Sequence, residues 1–108
     1  MARLPTRFHG PAQVSNAAAT KYTVLTEEKI EIRHIHISNP SASAVTFTMS
    51  IGTDAAAVRL FDGYSIPANS IFDHFCYYVA SAAEIIQGFA GTNNVLVLTI
   101  NGFRVLIG

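Results

Sequence analysis

The chain is poor in several residue types, and each shortage excludes a class of protein. Its single cysteine, Cys76, excludes an internal disulfide and a multi-cysteine metal site, and its aromatic neighbours favour a buried, inert thiol. Only 13% of the residues are charged, and seven basic residues balance seven acidic ones. Because nucleic-acid binding depends on clustered lysine and arginine, we expect no nucleic-acid partner for this neutral chain.

Long apolar runs are also missing. No stretch approaches the roughly 20 apolar residues that a membrane span needs, and the amino terminus has no apolar run of signal-peptide length. We therefore expect no membrane partner and synthesis in the cytoplasm. Half of the residues are nevertheless apolar. This is more apolar surface than one small core can hide. Part of the excess is alanine, which surfaces tolerate, but the large aliphatic and aromatic residues favour burial between subunits.

Strand and turn signals recur at about ten-residue spacing after Lys21, and no segment has a convincing helical period. The sequence predicts an all-β fold, a single jelly-roll-like sandwich of about eight antiparallel strands. The strand segments are 22–24, 29–38, 45–51, 57–62, 64–66, 70–79, 84–90, 95–101 and 103–107.

The segment 29–38 changes the phase of its apolar residues midway. Ile30 and Ile32 fall on one face of a regular strand, and Ile35 and Ile37 fall on the other. A β-bulge near Arg33 would bring all four isoleucines to one face. Alternatively, both faces of the strand are covered.

The first 20 residues differ from the rest of the chain. Pro5, Gly10 and Pro11 break any helix, and the apolar residues follow neither a helical nor a strand period. We expect residues 1–20 to form an extended N-terminal arm and residues 21–108 to form the sandwich domain. Because that domain has enough strands without the arm, the arm is predicted to attach to a partner. The predicted partner-binding residues are the anchoring type: Arg3, Leu4, Arg7 and Phe8.

His34 and His36 are the one pair that resembles a catalytic or metal site. Residues two apart on a strand point to the same face, so this pair could chelate a metal. The cupins, a family of jelly-roll metalloproteins, use such a pair with a glycine six residues earlier and a glutamate shortly after it. Glu28 and Pro40 stand near those positions here. We therefore expect no metal and no other cofactor, and histidines that face solvent or an interface.

No other arrangement supports catalysis. The carboxylates have no spacing that selects a glycosidase pair, and no nucleophile or phosphate-loop motif is present. The sequence therefore predicts no enzyme activity. An alternative function is glycan recognition on a host by the loops 52–57 or 91–94, although the chain has no tryptophan for stacking on a sugar.

A set of short motifs extends over nearly the whole chain. They are Leu4-Pro5-Thr6-Arg7, Gly10-Pro11-Ala12-Gln13, Tyr22-Thr23-Val24, Ile32-Arg33-His34-Ile35-His36-Ile37-Ser38-Asn39, Arg59-Leu60-Phe61-Asp62, Ile66-Pro67-Ala68-Asn69-Ser70 and Leu98-Thr99-Ile100-Asn101-Gly102. In this order they resemble small virion structural proteins of tailed bacteriophages. The segment Leu25-Thr26-Glu27-Glu28 departs from the pattern, where a Pro-Ala-Gly-like turn is expected.

The resemblance implies a non-enzymatic β-sandwich subunit that is built into a virion and contacts other virion proteins. It leaves open whether the subunit belongs to the head or to the tail. Because symmetric rings and trimers are the usual closed assemblies, we expect a homo-oligomer and favour a homotrimer. The protein would be synthesised in the host cytoplasm and located in the virion.

Overall fold

The computed structural model describes residues 2–106, which form eight β-strands and one single-turn 3-10 helix, Ala56–Val58. The strands are β1 (Ala2–Gln13), β2 (Ala19–Thr23), β3 (Glu28–Asn39), β4 (Val45–Ile51), β5 (Arg59–Ile66), β6 (Ser70–Ala80), β7 (Ile85–Ala90) and β8 (Val97–Leu106).

The strands form two four-stranded antiparallel sheets that pack face to face. Their orders are β1-β8-β3-β6 and β2-β7-β4-β5. Neighbours in each sheet are mostly distant in the sequence, because the chain crosses repeatedly from one sheet to the other. This arrangement is the double Greek key of a jelly roll. The predicted all-β jelly-roll-like sandwich of about eight antiparallel strands is confirmed.

The core consists of the inward side chains of both sheets. Burial alternates with period two along β7 and along the first half of β8, as it must where one face of a sheet is covered. Each fully buried aliphatic or aromatic side chain contributes about 1.5–3 kcal/mol through the surface that it removes from water. The largest buried apolar side chains are Phe47, Met49, Ile66, Ile86, Leu96, Leu98, Ile100 and the isoleucines of β3.

The predicted bulge in β3 is confirmed. Pairing with both β6 and β8 shifts register between Ile32 and His34. Ile30, Ile32, Ile35 and Ile37 are consequently all fully buried on the inner face. The bulge therefore resolves the change of phase, and no further sheet within residues 2–106 covers the outer face of β3.

Gly102 lies opposite Ile32, at the point where the register of β3 and β8 shifts. A β-carbon at this position would overlap the backbone carbonyl of Glu31 and would touch the ring of Phe8. Glycine is therefore required here by the close approach of two strands, which is a recognised use of glycine within a sheet.

Two pairs of predicted segments are single strands in the structure. Segments 57–62 and 64–66 join as β5, in which Gly63 has a φ of 65°. Segments 95–101 and 103–107 join as β8. The predicted end of the last segment, Ile107, lies outside the described residues.

Residues 2–13 do not form an arm apart from the sandwich, in contrast to the sequence-based expectation for residues 1–20. They form β1, which pairs antiparallel with β8 along its length. Phe8 is only 7% exposed, and Val14 is fully buried. The register shifts between Arg7 and His9 and again before Ala12, which hides the period of the strand in the sequence. Met1 lies outside the described residues.

A buried carboxylate connects three strands. Glu28, at the start of β3, is 1% exposed. It accepts hydrogen bonds from Tyr22 Oη at 2.7 Å, from the Leu25 amide at 3.1 Å and from Arg104 Nε at 2.8 Å. Burial opposes ionisation of Glu28, but these hydrogen bonds hold its pKa below the usual value. Burial and the nearby Glu28 raise the pKa of Tyr22 to about 12.

We predict that Phe8→Ala lowers the free energy of unfolding by about 3–5 kcal/mol, because it leaves a cavity between the sheets. Leu4→Ala is the matched control, since Leu4 lies on the same strand and is 39% exposed. Its expected effect is within about 1 kcal/mol. Urea denaturation of the two variants measures both values. Small and equal losses would contradict a structural role for β1.

We predict that Glu28 contributes stability that is lost in acid. Since its folded pKa is lowered, the contribution is present above the unfolded value of about 4.5 and disappears as the pH falls through the folded value. Glu28→Gln should lower stability near neutral pH by about 3 kcal/mol, because Arg104 loses its partner, and should flatten the acid slope. Urea titrations at several pH values test this, with Glu27→Gln as the exposed control. If the free energy of unfolding of Glu28→Gln depended on acidic pH as steeply as that of the wild type, Glu28 would not be the group responsible.

Candidate functional site

An exposed apolar row lies on β6, the outer strand of its sheet. Side chains alternate along β6 between the core and solvent. The outward members are large and apolar, apart from Asp73. They are Ile71, Phe75, Tyr77 and Val79, with exposed fractions of 63%, 77%, 63% and 47%. This row is called the β6 surface below, and contiguous exposed apolar groups of this kind mark interaction sites.

The side chains of β3 hold the β6 surface in place. The ring of His34 stacks on Phe75 with centroids 4.5 Å apart. The guanidinium of Arg33 lies 5.1 Å from the ring centroid of Tyr77. The Tyr77 hydroxyl donates to Glu31 at 3.3 Å. The aromatic groups are therefore ordered before any partner arrives, which lowers the entropic cost of binding.

A compact polar cluster lies next to these aromatic groups. His34 Nε2 is 2.8 Å and His36 Nδ1 is 2.6 Å from the same oxygen of Asp73. The three ligand-type atoms lie within 4.8 Å of one another. His34 Nδ1 is also 3.3 Å from the amide nitrogen of Asn101. Hydrogen bonds from His36 and then His34 hold the pKa of Asp73 below its usual value.

The sequence predicted part of this cluster. The expectation that His34 and His36 share one face was correct, and both are half-buried on the outer face. Sequence reasoning missed Asp73, which lies 37 residues beyond His36. Asp73 is directly opposite His36 in the pairing of β3 with β6. Only the register of that pair could have identified it.

The four predicted partner-binding residues do not form one surface. Phe8 points into the core, with its ring centroid 4.9 Å from that of Tyr22. Arg3 forms an ion pair with Glu31 of the same chain and lies over an aromatic ring of β8. Leu4 and Arg7 are exposed. Phe8 thus stabilises the fold, whereas Leu4 and Arg7 remain available to a partner.

The two loops considered for glycan binding lie at opposite ends of the sandwich. β4 and β7 are antiparallel neighbours, with Phe47 opposite Ala90 and Ile51 opposite Ile86. The loop 52–57 follows the end of β4, and the loop 91–94 follows the end of β7. The two loops therefore cannot contribute to a single binding site.

Two further carboxylates of the chain, Asp62 and Glu84, have partners within the fold. Asp62 accepts from Arg59 at 3.0 Å, and Glu84 accepts from the Ser81 amide at 2.6 Å. Cys76 is on the inward side of β6, and burial raises the pKa of its thiol. Its thiolate fraction is therefore low, which agrees with the predicted inert thiol. Within residues 2–106, no helix is long and apolar enough to cross a membrane.

Comparisons with known proteins show the fold. No protein-family model matches the chain, and no curated protein matches its sequence. The coat protein of Tobacco streak virus, in the structure of its dimer, superposes with a TM-score of 0.51 at 12% identity. The match covers 97% of this chain and 84% of the coat protein. A second structure of that coat protein has a TM-score of 0.48 at 9% identity and covers 96% and 85% of the two chains. This chain shares its β-sandwich fold with the coat protein of the dimer structure.

Proposed function

We propose that this chain is a non-enzymatic structural subunit of a virion and that it assembles with copies of itself through the β6 surface. The observation that carries the proposal is the row of four large apolar side chains on an outer strand. The shared fold with a coat protein supports the virion role. The motifs that resemble tailed-phage structural proteins support a tailed bacteriophage as the particle.

A second copy of the chain suits the β6 surface for two reasons. Within residues 2–106, β6 has a strand partner on one side only, so its other edge carries backbone groups that can pair with another strand. Arg33 and Asp73 place opposite charges beside the same apolar row. Charges of both signs beside a free strand edge offer contacts to a second copy, either to the same surface in a two-fold dimer or to a different surface in a ring.

The number of copies is a separate part of the proposal. The sequence favours three, which requires β6 to contact a different surface on the next subunit. Pairing of β6 with β6 would close a dimer, which is the form of the coat protein in one comparison structure. We retain the trimer as the proposal, and a mass measurement distinguishes the two.

The segment 1–20 is proposed to contact another virion protein through Leu4 and Arg7. Both side chains are exposed on β1, which is the outer strand at the other edge of the sheet that contains β6. One edge of this sheet would then join copies of the chain, and the other would join the particle. Net charge is zero, so nucleic acid is not among the proposed partners.

We predict that the purified protein is an oligomer and that the double variant Phe75→Ser, Tyr77→Ser is a monomer. Both side chains are highly exposed in the single chain, so the substitutions remove apolar contact without disturbing the core. Light scattering coupled to size-exclusion chromatography measures the mass. Leu25→Ser is the matched control, because Leu25 is 56% exposed outside β6 and should keep the wild-type mass.

A wild-type monomer, or a double variant with the wild-type mass, would exclude self-assembly through β6. A mass of three chains agrees with the proposed trimer. A mass of two chains would exclude the trimer and support direct pairing of β6 strands.

We predict that particles purified from infected cells contain this chain, and that Leu4→Ser with Arg7→Glu reduces its incorporation. The substitutions alter exposed groups on β1, so the fold and the oligomer should be retained. Mass spectrometry of purified particles measures incorporation, and a reconstruction of the particle locates the subunit on the head or the tail. Absence of the wild-type chain from particles would contradict the virion role, whereas normal incorporation of the variant would contradict attachment through β1.

A further inference from the structure

We propose that His34, His36 and Asp73 form a binding site for a divalent transition-metal ion on the outer face of the sandwich. The proposal differs from the sequence-based expectation of no metal, because Asp73 supplies the third donor. It does not depend on the proposed virion function, since it rests on the geometry of three side chains.

The donor atoms are already gathered. Asp73 Oδ1 is 2.8 Å from His34 Nε2 and 2.6 Å from His36 Nδ1, and all three atoms lie within 4.8 Å. Zinc ligands at about 2.0–2.2 Å from a tetrahedral ion are about 3.3–3.6 Å from one another. Shifts on the order of 1 Å at these half-exposed side chains would admit the ion. No change in the backbone is needed.

The pairing of β3 with β6 fixes the positions of the three ligand residues. His34 and His36 are two residues apart on β3, and Asp73 is the direct neighbour of His36 on β6. The imidazole of His34 is also held by stacking on Phe75, with centroids 4.5 Å apart. Ligands on paired strands are positioned more precisely than ligands on loops, which favours binding.

Asn101 contacts the ring nitrogen of His34 that does not face Asp73. Its amide lies 3.3 Å from His34 Nδ1, on the side of the ring away from Asp73. Without a metal, a ring protonated on Nε2 would donate to Asp73 and accept from the amide at Nδ1. With a metal on Nε2, the proton resides on Nδ1 and the amide presents its oxygen instead. An amide can serve either state, so Asn101 acts as a positioning residue.

The donor set determines the class of ion. Two imidazole nitrogens and one carboxylate oxygen suit zinc, copper or nickel, whereas magnesium and calcium prefer oxygen ligands alone. Three protein ligands leave a further position that water can occupy, because the side chains of the cluster are partly exposed. The site is therefore open.

Isothermal titration of the full chain with zinc chloride tests the proposal, after chelator treatment and dialysis into a non-coordinating buffer. We expect saturable binding of one zinc ion per chain and no binding of magnesium. His36→Gln and Asp73→Asn should each weaken zinc binding at least tenfold. Both groups are partly exposed, and thermal denaturation verifies that the variants fold.

His74→Gln is the matched control. His74 is adjacent to Asp73 on β6 but points toward the inner side, where its ring lies 3.0 Å from the Tyr78 hydroxyl. The zinc affinity of the His74→Gln variant should equal that of the wild type. No saturable zinc binding by the wild type, unchanged affinity in both ligand variants, or an equal loss in His74→Gln would each overturn the site. The mass of the oligomer is measured separately, so failure of either proposal is recognised by itself.

Discussion

The bulge in β3 is the constraint on which most of this structure depends. β3 is paired with β8 on one side and with β6 on the other. The orientation of its side chains therefore affects which residues of the whole sheet face the core and which face solvent. The register shift after Ile32 places Ile35 and Ile37 beside Ile30 and Ile32 in the core. A regular strand would have exposed two of the four isoleucines in either orientation, and with Ile30 and Ile32 inward it would also have buried both histidines. The same shift therefore completes the core and turns the histidines toward solvent.

The outer strands of the β1-β8-β3-β6 sheet differ in chemical character. β6 presents a row of large apolar side chains, whereas β1 presents arginine and a half-exposed leucine while contributing Phe8 to the core. Free strand edges invite pairing with other chains, and proteins usually protect them. Within the described residues no strand covers the outer edge of β6, and such an edge suits the proposed assembly through β6.

The sequence predicted the strands in which apolar residues alternate over several positions, and it missed β1. Segment 45–51 matched β4, and the change of phase in β3 left a bulge or two covered faces as alternatives, between which the register shift decides. Gly63 and Gly102 divided β5 and β8 in the prediction, because a glycine can mark a break between strands. Within these strands Gly63 instead serves a positive φ and Gly102 a close strand approach. β1 was missed because two register shifts and two prolines conceal its period.

Alternation with period two is a local property, so the sequence by itself determined the all-β class, the isoleucines of the core and the shared face of His34 and His36. Only the tertiary structure decided that Asp73 joins those histidines, that Phe8 is buried and that the apolar row lies at an edge. Each of these depends on the register between strands that are distant in the sequence. Turns and the packing of two whole sheets determine that register, and no local pattern records it.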